Sequence, residues 1–374
     1  MNIDLDRLKD INIPIPSRQG YAIPDLPMKG DDGRRMFNIG PDGSYGYLGK
    51  AALVHLGQTS VREWIGQLHD TTMQVLTKGM VQGGDYPQSD FRVVHPDGRA
   101  FRVHVEEGET CDELVFRSIP RESPRLEMLR LKRAWKMLML SPILNKGGLI
   151  VLAAMPGQGK STTIAGIIRS RLTIFGGRCL TVEAPVELPL EGMFGNGSCK
   201  QREVRYDHPN PFMNGFSGGV YSALRSFPAA DAAMVMIGEI RDKETAAAAI
   251  RAANAGFLVI TTIHGDSIPT AVKRLVEMAQ DEMGSIAPDM LASSLRMCVH
   301  QKLVIDDTKD GWNAGRIDGE LLWSAGESSK LANAIKSGNY NSMEEILRVQ
   351  RLRMEQADGQ GTGQQELIKQ LEGA

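Results

Sequence analysis

Aromatic side chains are scarce in this chain, 6% of its 374 residues, and they nowhere interleave with a basic stripe. Proteins that track single-stranded nucleic acid stack its bases on aromatics along a charged groove. No direct nucleic-acid partner is therefore expected. Cysteine is also rare: Cys111, Cys179, Cys199 and Cys298 are scattered and form no C-x-x-C pair. That argues against a zinc site and a disulfide framework, and it suits a reducing cytoplasm. An excess of one charge is missing too, the formal net charge being -2, so no global field draws the protein to nucleic acid or an anionic membrane. No apolar run approaches the roughly 20 residues of a spanning helix. Met1-Asn2-Ile3-Asp4-Leu5-Asp6 lacks the basic and apolar regions of a signal peptide. A cytoplasmic protein, peripheral at most to a membrane, is the expectation.

What is present is one phosphate-binding pattern. Ala154-Met155-Pro156-Gly157-Gln158-Gly159-Lys160-Ser161 has the spacing of a P-loop, with Ala154 in place of the first glycine. A strand-like run, Leu149-Ile150-Val151-Leu152-Ala153, leads into it, and a helix-like run from Thr162 to Arg171 follows. Pro156, Gly157, Gln158, Gly159, Lys160, Ser161 and Thr162 are the candidate nucleotide-binding residues. Glycines let successive backbone N–H groups turn inward to phosphates, and the helix adds its positive end. Lys160 is expected on the β/γ-phosphates and the Ser161 hydroxyl on Mg²⁺.

The length accommodates two domains. Residues 1–45, with Pro14, Pro16, Pro24 and Pro27, read as an extended arm. Residues 46–120 read as a small α+β domain: a helix over Ser60–Lys78, then strands Asp90–Val94, Ala100–Glu106 and Leu114–Ile119. Residues 121–125, with two prolines flanking polar residues, read as a linker. Over 126–355 short apolar strands alternate with longer helices, the signature of a parallel α/β sheet. Its strands are Leu149–Ala153, Cys179–Glu183, Met234–Ile237, Phe257–Thr262 and Met297–Ile305. Glu344 to Leu352 reads as an amphipathic helix, and residues 356–374 as a flexible, Gly/Gln-rich tail whose Leu367, Ile368 and Leu371 could form a short helix.

In such sheets ligands bind beyond the carboxyl ends of the strands, so the residues there are the candidates for chemistry. Glu183-Ala184-Pro185-Val186-Glu187 follows the second strand, with two carboxylates around a proline. Gly238-Glu239-Ile240-Arg241-Asp242 follows the third, and Glu239 is placed to hold Mg²⁺, largely through water, or to polarise an attacking water. The fourth ends in Thr261-Thr262-Ile263-His264-Gly265-Asp266, where His264 is expected to face the nucleotide and sense the γ-phosphate.

Together these segments resemble a known family. Gly157 to Thr163, Glu183 to Glu187, Ile237 to Thr245 and Thr261 to His264 are similar, in order and spacing, to the Walker A, Asp-box, Walker B and His-box motifs of the type II/type IV secretion ATPases. Val115-Phe116-Arg117-Ser118-Ile119-Pro120 resembles the segment closing that family's N-terminal PAS-like domain, and Gln301-Lys302-Leu303 its Q-[RK]-L strand. The resemblance implies an α/β fold, a RecA-like P-loop NTPase domain with a smaller N-terminal α+β (PAS-like) domain. It also implies ATP and Mg²⁺ as cofactors and a ring hexamer. Such a motor would serve a secretion, conjugation or pilus machine at the cytoplasmic face of the inner membrane. A neighbouring subunit would complete each site, and Arg92, Arg102 and Arg117 in the N-terminal strands are the candidates to reach its phosphates.

The departures are as informative. Ala184 stands where the family usually has Asp, which leaves Glu187, then Glu183, for the water-positioning or metal role. Leu224 to Asp231 differs from the usual L-R-x-D-P-D, no four-cysteine module is present, and the retraction motors' Ala-Ile-Arg-Ala-Gly-Glu is missing. The balance points to the DotB/TraJ-like branch over PilT-like retraction motors. A nucleic-acid translocase on the same nucleotide fold is the alternative class.

Overall fold

The computed structural model describes residues 10–16, 35–38, 45–48, 67–68, 71–72, 90–96, 98, 100–106, 111–204, 214–227, 233–305, 315–324 and 329–372. The chain divides into two compact units, Met1–Glu122 with Ala184–Pro189, and Ser123–Glu183 with Leu190–Ala374.

The first unit holds a six-stranded antiparallel sheet in the order β2-β3-β1-β6-β5-β4. Its strands are β1 Asp10–Pro16, β2 Arg35–Asn38, β3 Tyr45–Leu48, β4 Asp90–Val94, β5 Ala100–Glu106 and β6 Cys111–Ile119. Val93, Phe101 and Val103 are buried on it. β1 and β2 lie inside the segment expected as an extended arm, and β1 pairs with β6 along its whole length. The reason is the alternation Ile11, Ile13, Ile15, a period-two pattern that the prolines obscure. Pro14 and Pro16 lie beyond the two positions paired with β3, so one side of each is an edge, where a missing N–H costs little. Of the helix expected over Ser60–Lys78, residues 67, 68, 71 and 72 are described, all helical; the rest lies outside the described residues.

The second unit is built on an eight-stranded sheet, β14-β13-β7-β12-β11-β8-β10-β9. Its strands are β7 Gly148–Ala153, β8 Gly177–Val182, β9 Gly192–Phe194, β10 Gly197–Lys200, β11 Ala233–Ile237, β12 Leu258–Ile263, β13 Leu295–Ile305 and β14 Gly315–Trp323. The inner six run parallel and the two edge strands antiparallel. β7 and β12 are buried at every position, as the unbroken apolar runs of a sheet covered on both faces require. Helices cover it: α1 Arg133–Met139, α2 Lys160–Phe175, α3 Gly215–Leu224, α4 Lys243–Asn254, α5 Ile268–Met283, α6 Ala287–Ser294 and α7 Lys330–Ser337. α3 approaches β8 closely: a Cβ on Gly219 would lie 2.5 Å from Cγ1 of Val182.

α8 Ser342–Gln360 contains the amphipathic helix expected over Glu344–Leu352 and runs on into the expected flexible tail, the rest of which is a second packed helix, α9 Gln364–Glu372. Leu367, Ile368 and Leu371 form one stripe, fully buried, and the polar composition around them hid it. Arg133 donates to the Thr362 carbonyl at 3.1 Å, and Asp358 accepts the Ala134 N–H at 2.7 Å. On the outer side of β14, Gln350 of α8 accepts from the Trp323 N–H and donates to its carbonyl, both at 2.9 Å.

Candidate functional site

The carboxyl ends of β8, β11 and β12 are stitched together by backbone. Gly238 N–H donates to Val182 O and Ile240 N–H to Thr262 O, each at 2.9 Å, while the Thr262 hydroxyl donates to Gly238 O at 2.7 Å. Glu239 is held between these bonds. β12 lies between β7, which carries the P-loop, and β11, which carries Glu239. His264 thus leaves the sheet between them.

In the P-loop, Gly157 and Gly159 adopt φ of 76° and 77°, left-handed values that side chains resist. Among the described residues no non-glycine has positive φ, so Ala154 sits in ordinary backbone and the turn does not need the glycine it replaces. Pro156 and Gly157 are exposed; Gln158, Gly159, Lys160, Ser161 and Thr162 are half-buried at the start of α2. The Lys160 ammonium donates to Ala154 O at 2.7 Å and Met155 O at 3.0 Å.

Glu239 is largely buried, its side chain 13% exposed. Oε2 accepts from Arg241 Nε at 2.6 Å. Oε1 lies 2.6 Å from His264 Nε2. Both oxygens of this largely buried carboxylate thus face a basic side chain.

Glu183 is buried, with Gln201 Nε2 donating to its Oε1 at 2.9 Å, and its backbone bridges to Arg202 and Val204. Glu187 belongs to the first unit, where it pairs with Arg102 at 3.0 Å. Two residues expected to act separately are therefore partners. Arg92 and Arg102 are register partners on β4 and β5, and Arg102 and Arg117 on β5 and β6, so the three positions form one row across the sheet. Arg92 is exposed and Arg102 half-buried.

Arg241, Gln301 and Leu303 lie in segments the sequence singled out, but their contacts escaped it. Arg241, two residues beyond the strand-end acid, grips Glu239. Gln301 Nε2 donates to Gln158 O at 2.5 Å, and Leu303 N–H donates to Gln158 Oε1 at 2.9 Å. Proximity to Glu239 could have flagged Arg241, but no local signal couples residues 158 and 301.

The Ser161 hydroxyl and the Glu239 carboxylate are hard oxygen ligands of the kind Mg²⁺ takes. Among the described residues no three His, Cys, Asp or Glu cluster as a closed metal cage. An open site that borrows phosphate and water ligands is what these residues fit.

A family described as Type II/IV secretion system protein matches residues 91–366. The chain is 31% identical over 222 residues to the Type IV pilus retractation ATPase PilT of Pseudomonas aeruginosa, covering 59% of this chain and 60% of that one. It thus spans less than two thirds of that relative's length. Among solved structures, the pilus retraction motor PilT with bound ADP superposes with a TM-score of 0.63 at 22% identity, covering 91% of this chain and 86% of that chain. The ATPase DotB of Legionella pneumophila gives 0.61 at 22% identity, covering 93% and 88%. These likenesses establish a shared fold.

Proposed function

Since the chain belongs to the Type II/IV secretion system protein family, we propose that it is a motor that hydrolyses ATP to ADP and phosphate to drive a type IVB-like secretion, conjugation or pilus machine. The observation that carries this reading is the largely buried Glu239 carboxylate at the end of β11, held by Arg241 and His264, with only β12 between β11 and the P-loop strand β7. The similarity to proteins named as ATPases supports it.

Each group has a task in this reading. Gly157 and Gly159 turn backbone N–H groups toward the phosphates, and Lys160 exchanges its two carbonyl partners for β/γ-phosphate oxygens. Ser161 and Glu239 hold Mg²⁺, which when bound neutralises charge developing on the phosphates. Glu239 orients the attacking water, and Arg241 fixes the carboxylate's rotamer. His264, touching Oε1, changes position when a γ-phosphate arrives. Glu183 supports this wall through Gln201. The first unit is proposed as PAS-like and the second as RecA-like, and the row of positions Arg92–Arg102–Arg117 would serve a neighbouring subunit's nucleotide in a ring hexamer. The motor works at the cytoplasmic face of the inner membrane; among the described residues no helix is long and apolar enough to cross one.

The absent four-cysteine module and the missing Ala-Ile-Arg-Ala-Gly-Glu favour the DotB-like role. Pilus retraction is the second reading, favoured by the PilT match. Phosphate release from ATP with Mg²⁺, abolished in Lys160→Ala, tests the activity. Turnover in that variant equal to wild type would remove the site.

A further inference from the structure

We propose that Gln158 and Gln301 form a reciprocal latch that sets the P-loop's affinity for nucleotide, with both glutamines acting as positioning residues. The inference rests on the functional reading above and deepens it.

The starting point is an unfinished ladder. β13 pairs with β7 up to His300 opposite Ala153, where β7 ends and the P-loop begins. β13 runs on to Ile305, so on that side its backbone loses its strand partner. An amide left there needs an acceptor. Gln158 supplies one: its Oε1 accepts from Leu303 N–H at 2.9 Å. In return Gln301, 1% exposed, donates from Nε2 to the Gln158 carbonyl at 2.5 Å. The two bonds run in opposite directions across the same gap, so the P-loop is held as a surrogate strand.

Phosphate chemistry does not require this. The P-loop pattern leaves the residue before its second glycine open, so a glutamine with a specific partner at position 158 is a choice of this chain. The latch also acts next to the residue whose backbone matters most. Gly159 stands at φ 77°, and a Cβ there would meet Gln301 Nε2 at 3.2 Å and Leu303 Cδ2 at 3.9 Å. The peptide joining Gln158 to Gly159 is thus fixed from its carbonyl side, which orients the N–H on its other side toward the phosphate cradle. The Oε1 of Gln301 is buried without a donor, so the amide is kept for the direction of its N–H and not for a saturated network. Pre-set donors raise affinity because no ordering remains to be done at binding. Glu239 lies at the end of a different strand from the latch, so the latch should act on binding more than on the chemical step.

The test compares wild type, Gln158→Met, which keeps length and loses the acceptor, and Gln301→Glu, which keeps shape and cannot donate. ADP affinity, KM for ATP, kcat and hydrogen exchange over residues 301–305 are measured on the full chain, with Lys160→Ala as the control for nucleotide loss. Each variant should weaken ADP binding and raise KM about 2- to 10-fold, the effect of one neutral hydrogen bond. The change in KM should exceed any change in kcat, and exchange at Leu303 should quicken in Gln158→Met. Gln158 is half-buried, so that variant keeps the experiment decisive if Gln301→Glu fails to fold. Unchanged affinity in Gln158→Met, with Lys160→Ala still impaired, overturns the latch and leaves the functional reading intact. A fall in kcat at unchanged KM overturns it as well. Wild-type protein that binds no nucleotide overturns both.

Discussion

At the scale of single residues, Glu239 and Lys160 separate binding from chemistry. Glu239→Gln keeps the side chain's shape and its place beside Arg241 and His264, so it should fold and bind ATP. Its kcat should drop about 10²- to 10³-fold, the loss seen when one oriented catalytic group is removed. Lys160→Ala removes a charged donor and should weaken ATP binding about 10-fold or more; calorimetric titration beside steady-state rates distinguishes the two. The cysteines give a different test. Burial pushes the Cys298 thiol up to about 12, and the hydrogen bond with Cys199, its register partner on β10, joins burial in raising Cys179 well above the usual range. Thiolates react, so Cys179 and Cys298 should resist iodoacetamide at pH 8 in the native protein and react after unfolding. Peptide mapping by mass spectrometry reads this, and native labelling at either would contradict the burial. The P-loop and the strand-end acid were legible because each is a local pattern. The grip of Gln301 on Gln158 was not, because it exists only where one strand outruns another.

At the scale of elements, two predictions concern packing. Gly218 and Gly219 sit within α3, where glycine is a poor helix former. Their use follows from the approach to Val182, so Gly219→Ala should gain propensity yet lose about 1–3 kcal/mol to overpacking. A lower Tm supports this, and a raised one shows that β8 yields. For α9, Leu367→Ala should cost about 2–5 kcal/mol in chemical denaturation, whereas Glu366→Ala, on the exposed side, should be nearly neutral. Equal effects would mean that α9 does not pack. Five of the six inner strands, β7, β8, β11, β12 and β13, could be read within two residues of their ends because each carries a run of buried apolar residues. β9 and β10 could not: Gly192–Phe194 and Gly197–Lys200 are short, glycine-bearing and half polar. β1 was hidden by its prolines and α9 by its glutamines, both cases where composition drowned a periodicity of three apolar residues.

For the whole molecule, a site completed by a neighbour makes activity depend on assembly. If the arginine row serves the adjacent subunit, dilution should lower specific activity, by a factor that can reach about 10³ for an arginine supplied in trans. Mixing Lys160→Ala with Arg92→Ala, each inactive alone, should recover activity where an intact P-loop meets an intact arginine. Mixed rings that remain inactive would mean that Arg92 acts in cis or not at all. The outer border of the sheet bears on association between copies in another way. An edge strand offers unpaired N–H and C=O groups on which another chain can add. At Trp323 both are already taken, one by each end of the Gln350 amide. A side chain here does for the outside of the sheet what Gln158 does within it, standing in for a strand that is not there. A stranger's backbone arriving at β14 must first evict that amide, and the same residue that ties the C-terminal helices down thereby guards this border against runaway stacking of copies.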